Sequence, residues 1–118
     1  MELKDQLKLF TGTTQYHTHY LNPDQSILLT DGCQFLKEKT NCSWFFDHII
    51  AHRNEYSLAE EPVQVWVFHI ANKDNGLIWC EDGNKVLLYA RSLKVKDFPL
   101  ETISVWFIDG IALLPTEY

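Results

Sequence analysis

The stretch Val63-Gln64-Val65-Trp66-Val67-Phe68-His69-Ile70-Ala71 decides how the rest of the chain is read. Successive side chains of a strand point to opposite faces. Here Val63, Val65 and Val67 share one face, and Trp66, Phe68 and Ile70 share the other. A strand that is apolar on both faces is a central strand, expected to be covered on both sides.

Downstream, the pattern continues as hairpins. Leu77 to Glu81 and Asn84 to Leu93 flank Asp82-Gly83, and Thr102 to Ile108 and Ile111 to Leu114 flank Asp109-Gly110. Asp-Gly between apolar runs is a type I′ hairpin signal. A two-residue turn at Asp82-Gly83 sets Trp79 opposite Val86 and Ile78 opposite Leu87. One face then holds Leu77, Trp79, Val86 and Leu88, and the other Ile78, Cys80, Leu87 and Tyr89. At the second turn Trp106, Ile108, Ile111 and Leu113 share a face, opposite Ile103, Val105, Phe107, Ala112 and Leu114. Asp97-Phe98-Pro99 forms a corner between the hairpins.

Upstream, the pattern is helical. Leu3, Leu7 and Phe10 have the spacing of a short amphipathic helix over Glu2 to Phe10. Thr11-Gly12-Thr13-Thr14 breaks it, Gln15 to Leu21 is a strand or an extended arm, and Asn22-Pro23-Asp24 turns the chain. Thr30 is an N-cap, with Asp31 in the first turn, for a helix that ends near Lys39. Ser43 caps a second helix to about Asn54, with Phe45, Phe46, Ile49 and Ile50 as its apolar face. Helices followed by strands indicate an α+β fold. The expectation is one domain over residues 1–118: an antiparallel β-meander of about five strands with a helical pair packed on one face. The second sheet face then needs its own cover, either the Met1 to Leu21 segment or another chain.

The chain has 118 residues and a net charge of −6, from 10 Lys+Arg against 16 Asp+Glu. That charge disfavours nucleic acid as a partner, and Lys85, Arg91, Lys94 and Lys96 read as a solvated strand edge. No run reaches the roughly 20 apolar residues of a membrane helix, so no membrane association is expected. The N-terminus lacks an apolar signal core. Cys33, Cys42 and Cys80 form no CxxC pair and read as free thiols of a cytoplasmic protein.

Candidate chemistry is sparse. His48 and His52, four apart on a helix, can face one metal, but the glutamate of an HExxH site is absent. On the helical wheel His52 flanks the apolar face and His48 lies toward solvent, which favours half-exposed histidines over ligands. His17 and His19 share a face if Gln15 to Leu21 is extended. Asp47 beside His48 or His52 has the composition of part of a catalytic dyad. Cys42, near a helix N-terminus, is the thiol whose pKa such a position would depress. No phosphate-binding glycine loop or calcium loop is present.

Several stretches resemble a family of small bacterial proteins classed as a domain of unknown function. They are Phe10-Thr11-Gly12-Thr13, Leu29-Thr30-Asp31-Gly32, Ser43-Trp44-Phe45-Phe46-Asp47-His48-Ile49, Asp97-Phe98-Pro99-Leu100-Glu101 and Leu113-Leu114-Pro115-Thr116-Glu117-Tyr118. The resemblance spans nearly the whole chain. It implies a stand-alone domain and brings no activity, cofactor or catalytic residue with it.

Three functional expectations follow. The first is a non-enzymatic protein-interaction module, a homodimer that buries the second sheet face, with Trp66, Trp79 and Trp106 at the interface. The second is a small-ligand or metal-binding domain built from Tyr16, His17, His19, Trp44, His48 and His52. The third is an enzyme with a site near Asp47, His48 and Cys42. No metal ligand set, cofactor or specific partner protein is assigned by the sequence.

Overall fold

A computed structural model describes all of residues 1–118. The elements in order are α1 (Leu3–Leu7), β1 (His17–Asn22), β2 (Gln25–Leu29), α2 (Asp31–Thr40), α3 (Ser43–His52), β3 (Val63–Asn72), β4 (Asn75–Glu81), β5 (Leu87–Lys94), β6 (Thr102–Ile108) and β7 (Ile111–Leu113). A 3-10 turn over Pro115–Glu117 follows. No helix is long and apolar enough to cross a membrane.

Helix α2 begins and ends where local chemistry requires, whereas Ser43, expected to cap α3, is its first helical residue, and Cys42 before it makes no side-chain cap. The Thr30 hydroxyl oxygen accepts from the Cys33 N–H at 3.3 Å, satisfying one orphan donor at the start of α2. Asn41 closes α2 in the left-handed conformation at φ 53°. The expected helix over Glu2 to Phe10 is shorter, only Leu3–Leu7.

The sheet has seven strands in the order β1-β2-β7-β6-β3-β4-β5. This corrects the five-stranded meander in three ways. The hairpin β1–β2 was not foreseen as part of the sheet. It joins β7 in parallel, with Leu28 beside Ile111 and Leu29 beside Ala112. And β6 returns to pair with β3, so β3 lies between β4 and β6. Alternation assigns faces but carries no information about which strands are neighbours, and the long return through Asp97-Phe98-Pro99 is a non-local choice.

The Asp109-Gly110 turn forms as expected. Both residues have positive φ, 51° and 78°, and Ile108 pairs with Ile111. The Asp82-Gly83 turn does not. Asp82 Oδ1 accepts from the backbone N–H of Asn84 at 2.7 Å and of Val86 at 3.0 Å. The left-handed residue there is Lys85, φ 68°, while Gly83 keeps an ordinary φ. The loop is therefore longer, and a bulge shifts the ladder so that Glu81 pairs with Leu87, Cys80 with Tyr89 and Trp79 with Ala90. Leu87 moves off the face of Ile78 and Cys80 to the opposite one.

The helical pair α2–α3 covers one face of the sheet. Trp66, Phe68, Ile78, Val105 and Ala112 on that inner face are fully buried against Leu36, Phe45, Phe46 and Ile49. Gln64 is buried there too, and every polar atom of its side chain is used. Its amide donates to Arg53 O and Leu58 O, both at 3.0 Å, and its carbonyl accepts from the Trp66 indole at 3.0 Å.

The outer face is different. Val63, Val65, Val67, Trp79, Trp106, Ile108, Ile111 and Leu113 alternate with those buried residues and remain partly exposed. Leu28 and Leu77 on the same face are more open still, 37% and 41% exposed. The Met1 to Leu21 segment does not cover them. Its Leu7 and Phe10 pack on the helical side, where Phe10 meets Phe35 at 5.1 Å between ring centroids, and its end, from His17 on, becomes the edge strand β1.

Candidate functional site

The residues expected to converge divide among separate places. Strand β1 points His17 and His19 to the inner face, as the two-residue period requires. His17 Nε2 donates to Asp31 Oδ1 at 2.9 Å. Asp31 also accepts from the Thr14 N–H and hydroxyl, both at 2.9 Å, and its own N–H donates to Thr13 Oγ1 at 2.8 Å. The Thr14 backbone N–H first, then His17 and the Thr14 hydroxyl, lower the Asp31 carboxyl from 3.8 to about 2. This group laces residues 13–17 to the start of α2. Tyr16 beside it is exposed.

His19 is nearly buried and joins both helices to the sheet edge. Lys37 Nζ donates to Nδ1 at 3.3 Å, and Nε2 bonds Asp47 Oδ1 at 2.8 Å. With an ammonium donor on Nδ1, the ring carries its proton on Nε2 and donates to Asp47. Both ring nitrogens are engaged, so the pair has the look of a catalytic dyad without a nitrogen free to take a proton from a nucleophile.

The His48 and His52 rings lie 4.4 Å apart between centroids, their planes tilted by 38°. His48 Nε2 bonds the Tyr89 hydroxyl at 2.9 Å, and His52 Nδ1 bonds Glu55 Oε1 at 2.9 Å. His48 does not point to solvent as the helical wheel suggested. It packs edge-on against Trp66, 6.0 Å away. Burial first, then His52 and Arg91, lower its pKa from 6.5 to about 4. No three His, Cys, Asp or Glu side chains come together where one ion would reach them.

Cys42 also departs from expectation. Its place at the N-terminus of α3 suggested an activated thiolate. The residue is fully buried, its Sγ donates to Leu36 O at 3.8 Å, and burial raises its pKa to about 11. Cys80 is raised to about 12 by the same cause, and Cys33 well above the usual range. Desolvation outweighs the helix terminus.

Trp66, expected at an interface, is inside the core because its position in β3 faces the helices. Trp79 and Trp106 are on the outer face. The Trp79 indole donates to Glu81 Oε2 at 2.8 Å, and Trp106 packs against Tyr118 at 4.9 Å. Read across the registers, one row of this face runs Leu113, Trp106, Val65, Glu81, and the next runs Ser104, Val67, Trp79, Ala90. A third row holds Thr102, His69, Leu77 and Ser92. On β7, β6, β3 and β4 the titratable groups of this face are Glu81 and His69.

Trp44 occupies yet another place, packed edge-on against Phe68 at 4.8 Å and Phe98 at 5.9 Å. With Phe98, Asn41, Lys94 and Lys96 it lines an open cleft of about 570 Å³ at the end of α2. The sequence alone points to Trp44 without this setting, because Lys94 at the end of β5, and Lys96 and Phe98 in the connection after it, lie far downstream.

No curated protein and no solved structure matches this chain. Residues 1–118 match the model of a family of unknown function (DUF6876). The match agrees with the resemblance to a domain of unknown function, and the chain belongs to this family of unknown function, DUF6876.

Proposed function

We propose that this protein is an interaction module that pairs with a second copy of itself through the outer face of the sheet. The observation that carries the reading is the partly exposed apolar face centred on Val65, Val67 and Trp79, with Trp106 beside them against the Tyr118 ring. A monomer that exposes a contiguous apolar surface larger than a few hundred Å² is prone to association. The four strands β7, β6, β3 and β4 that carry this patch, at ~4.8 Å spacing and about 20 Å length, give a footprint of roughly 400 Å², and the flanking strands extend the face toward the ~800 Å² per partner of a stable interface. The face carries few charges, so a second copy of this acidic protein meets little repulsion there. Light scattering coupled to size exclusion is expected to give twice the 13.8 kDa chain mass at micromolar concentration. Val67→Lys is expected to give the single mass with an unchanged far-UV circular dichroism spectrum. A wild-type monomer at high micromolar concentration overturns the reading.

A second reading rests on the Trp44 cleft. Its volume falls within the range of about 300–1,000 Å³ typical of ligand sites. Lys94 and Lys96 have no carboxylate within ion-pair distance and outnumber Asp97, the one acidic residue of the lining, and Trp44 and Phe98 offer aromatic surface. This combination suits a small aromatic anion. Adenosine monophosphate titrated into 15N-labelled protein is expected to shift the Trp44 indole resonance, with inorganic phosphate giving less. Unmoved resonances at millimolar ligand dismiss the cleft.

A further inference from the structure

We infer that the pairing of two copies is a twofold face-to-face packing in which Glu81 of each copy bonds His69 of the other. This rests on the homodimer reading and adds its axis, its register and its specificity. Three observations support it.

The first is what the face leaves unpaired. Glu81 Oε2 is taken by the Trp79 indole, while Oε1 has no partner within the chain. Neither nitrogen of His69 has one. An acid and a base with unspent hydrogen-bonding capacity stand on an otherwise apolar surface, where docking against a purely apolar partner would strand both.

The second is their placement. Glu81 pairs with Val65 across the β3–β4 ladder, and His69 lies four residues further along β3, opposite Leu77. Two such positions are about 13 Å apart along the strand, too far to bond within one copy. Between them lies the row of Val67 and Trp79. The acid and the base are therefore disposed symmetrically about the middle of the face, one on each side.

The third is what symmetry makes of that disposition. In an isologous interface, if residue i of one copy meets residue j of the other, then j meets i. A twofold axis lying in the interface through the Val67–Trp79 row exchanges the Glu81 position with the His69 position. Both pairs then form at once, and Val67 and Trp79 of the two copies meet at the centre. Because Glu81 and His69 are on adjacent strands, the axis tilts and the strands of the two sheets cross at about 40°, close to the ~30° of aligned sheet packing. A partner of other sequence has no reason to match this arrangement, whereas a second copy matches it automatically.

The test is a charge exchange read by sedimentation equilibrium on the full chain. Glu81→Lys buries an ammonium with no carboxylate opposite it, and His69→Glu sets two carboxylates against each other. Each is expected to weaken dimerisation at least tenfold. The double exchange, carrying Lys at 81 and Glu at 69, is expected to return to within about threefold of wild type, because the opposite charges again meet between copies. Since the two positions do not touch within a chain, such rescue arises only between chains. Glu81→Gln and His69→Gln, which keep shape and hydrogen bonding, serve if a charge reversal unfolds the protein, as judged by circular dichroism. They are expected to weaken dimerisation less than the reversals.

A dimeric wild type with single variants that leave the dissociation constant unchanged, or with a double variant as weak as the product of the singles, overturns this pairing and leaves the homodimer standing. A monomeric wild type overturns both.

Discussion

At the scale of single residues, His48 on α3 and Asp31 at the start of α2 each tie stability to pH. His48 is held neutral, its pKa lowered from 6.5 to about 4 by burial, with His52 and Arg91 adding to it. A histidine with a depressed folded pKa binds fewer protons in the native state than in the unfolded chain between those two values. Its contribution to stability is complete above about 6.5 and is lost as pH falls toward 4. His48→Gln keeps a side chain that can bond the Tyr89 hydroxyl and removes the titration. Thermal midpoints measured from pH 7 to 4 are expected to fall less steeply in this variant than in wild type; equal slopes would show that His48 is not the group responsible. Asp31 acts lower on the scale. Its carboxyl is depressed from 3.8 to about 2, so its contribution is present above about 3.8 and disappears as pH falls toward 2. The two windows barely overlap, which lets one pH series separate them. None of this was legible from residue types alone. His17, His19 and His48 could be named as candidates, but their partners Asp31, Asp47, Lys37 and Tyr89 come from other elements.

At the scale of elements, the N-terminus of α2 holds a glycine whose requirement comes from packing and not from backbone conformation. Gly32 has ordinary helical geometry and no conformational need for glycine. Its need is steric: a Cβ there would lie 2.6 Å from Glu117 Oε1 and 2.6 Å from Leu114 Cδ1. Glu117 reaches back from the tail to accept from the Thr30 hydroxyl, from the Gly32 N–H at 3.1 Å and from the Leu114 N–H at 2.9 Å. The carboxylate thus satisfies donors at a helix N-terminus, where a negative charge is favoured. Gly32→Ala is expected to displace it and to destabilise the fold by about 1–3 kcal/mol in urea denaturation. Glu117→Ala removes the same contact from the other side. The double variant is therefore expected to cost less than the sum of the two, and full additivity would show that the contacts are independent. The hairpins teach the same lesson about local signals. Asp109-Gly110 turned as its dipeptide suggests because both residues accept positive φ. The similar Asp82-Gly83 did not, because the Asp82 carboxylate captured two backbone N–H groups and moved the left-handed position to Lys85.

At the scale of the whole molecule, the strands that the sequence reveals are those whose inner face is apolar. The alternation of β3, β6 and β7 was readable residue by residue, and so was the helical pair on one side. The hairpin β1–β2 was only half visible, because β1 turns His17 and His19 inward and satisfies them with aspartates rather than with apolar neighbours. Strand order was invisible for a separate reason, since periodicity reports faces and not neighbours. The two-faced apolarity of β3 predicted two covers, and the fold supplies one. If a second copy supplies the other, stability is linked to association, and the melting temperature depends on concentration. For 118 residues at ~0.7 kcal/mol of unfolding enthalpy per residue, a dimer unfolds with roughly 165 kcal/mol, which gives a rise of about 3 °C in midpoint for each tenfold rise in protein concentration. A hundredfold series by differential scanning calorimetry is expected to show about 6 °C by the same relation. Val67→Lys, which should unfold as a monomer, is expected to show no such dependence and to melt lower than wild type at every concentration. A concentration-independent wild-type midpoint would mean that the outer face adds nothing to the stability of the folded chain under those conditions.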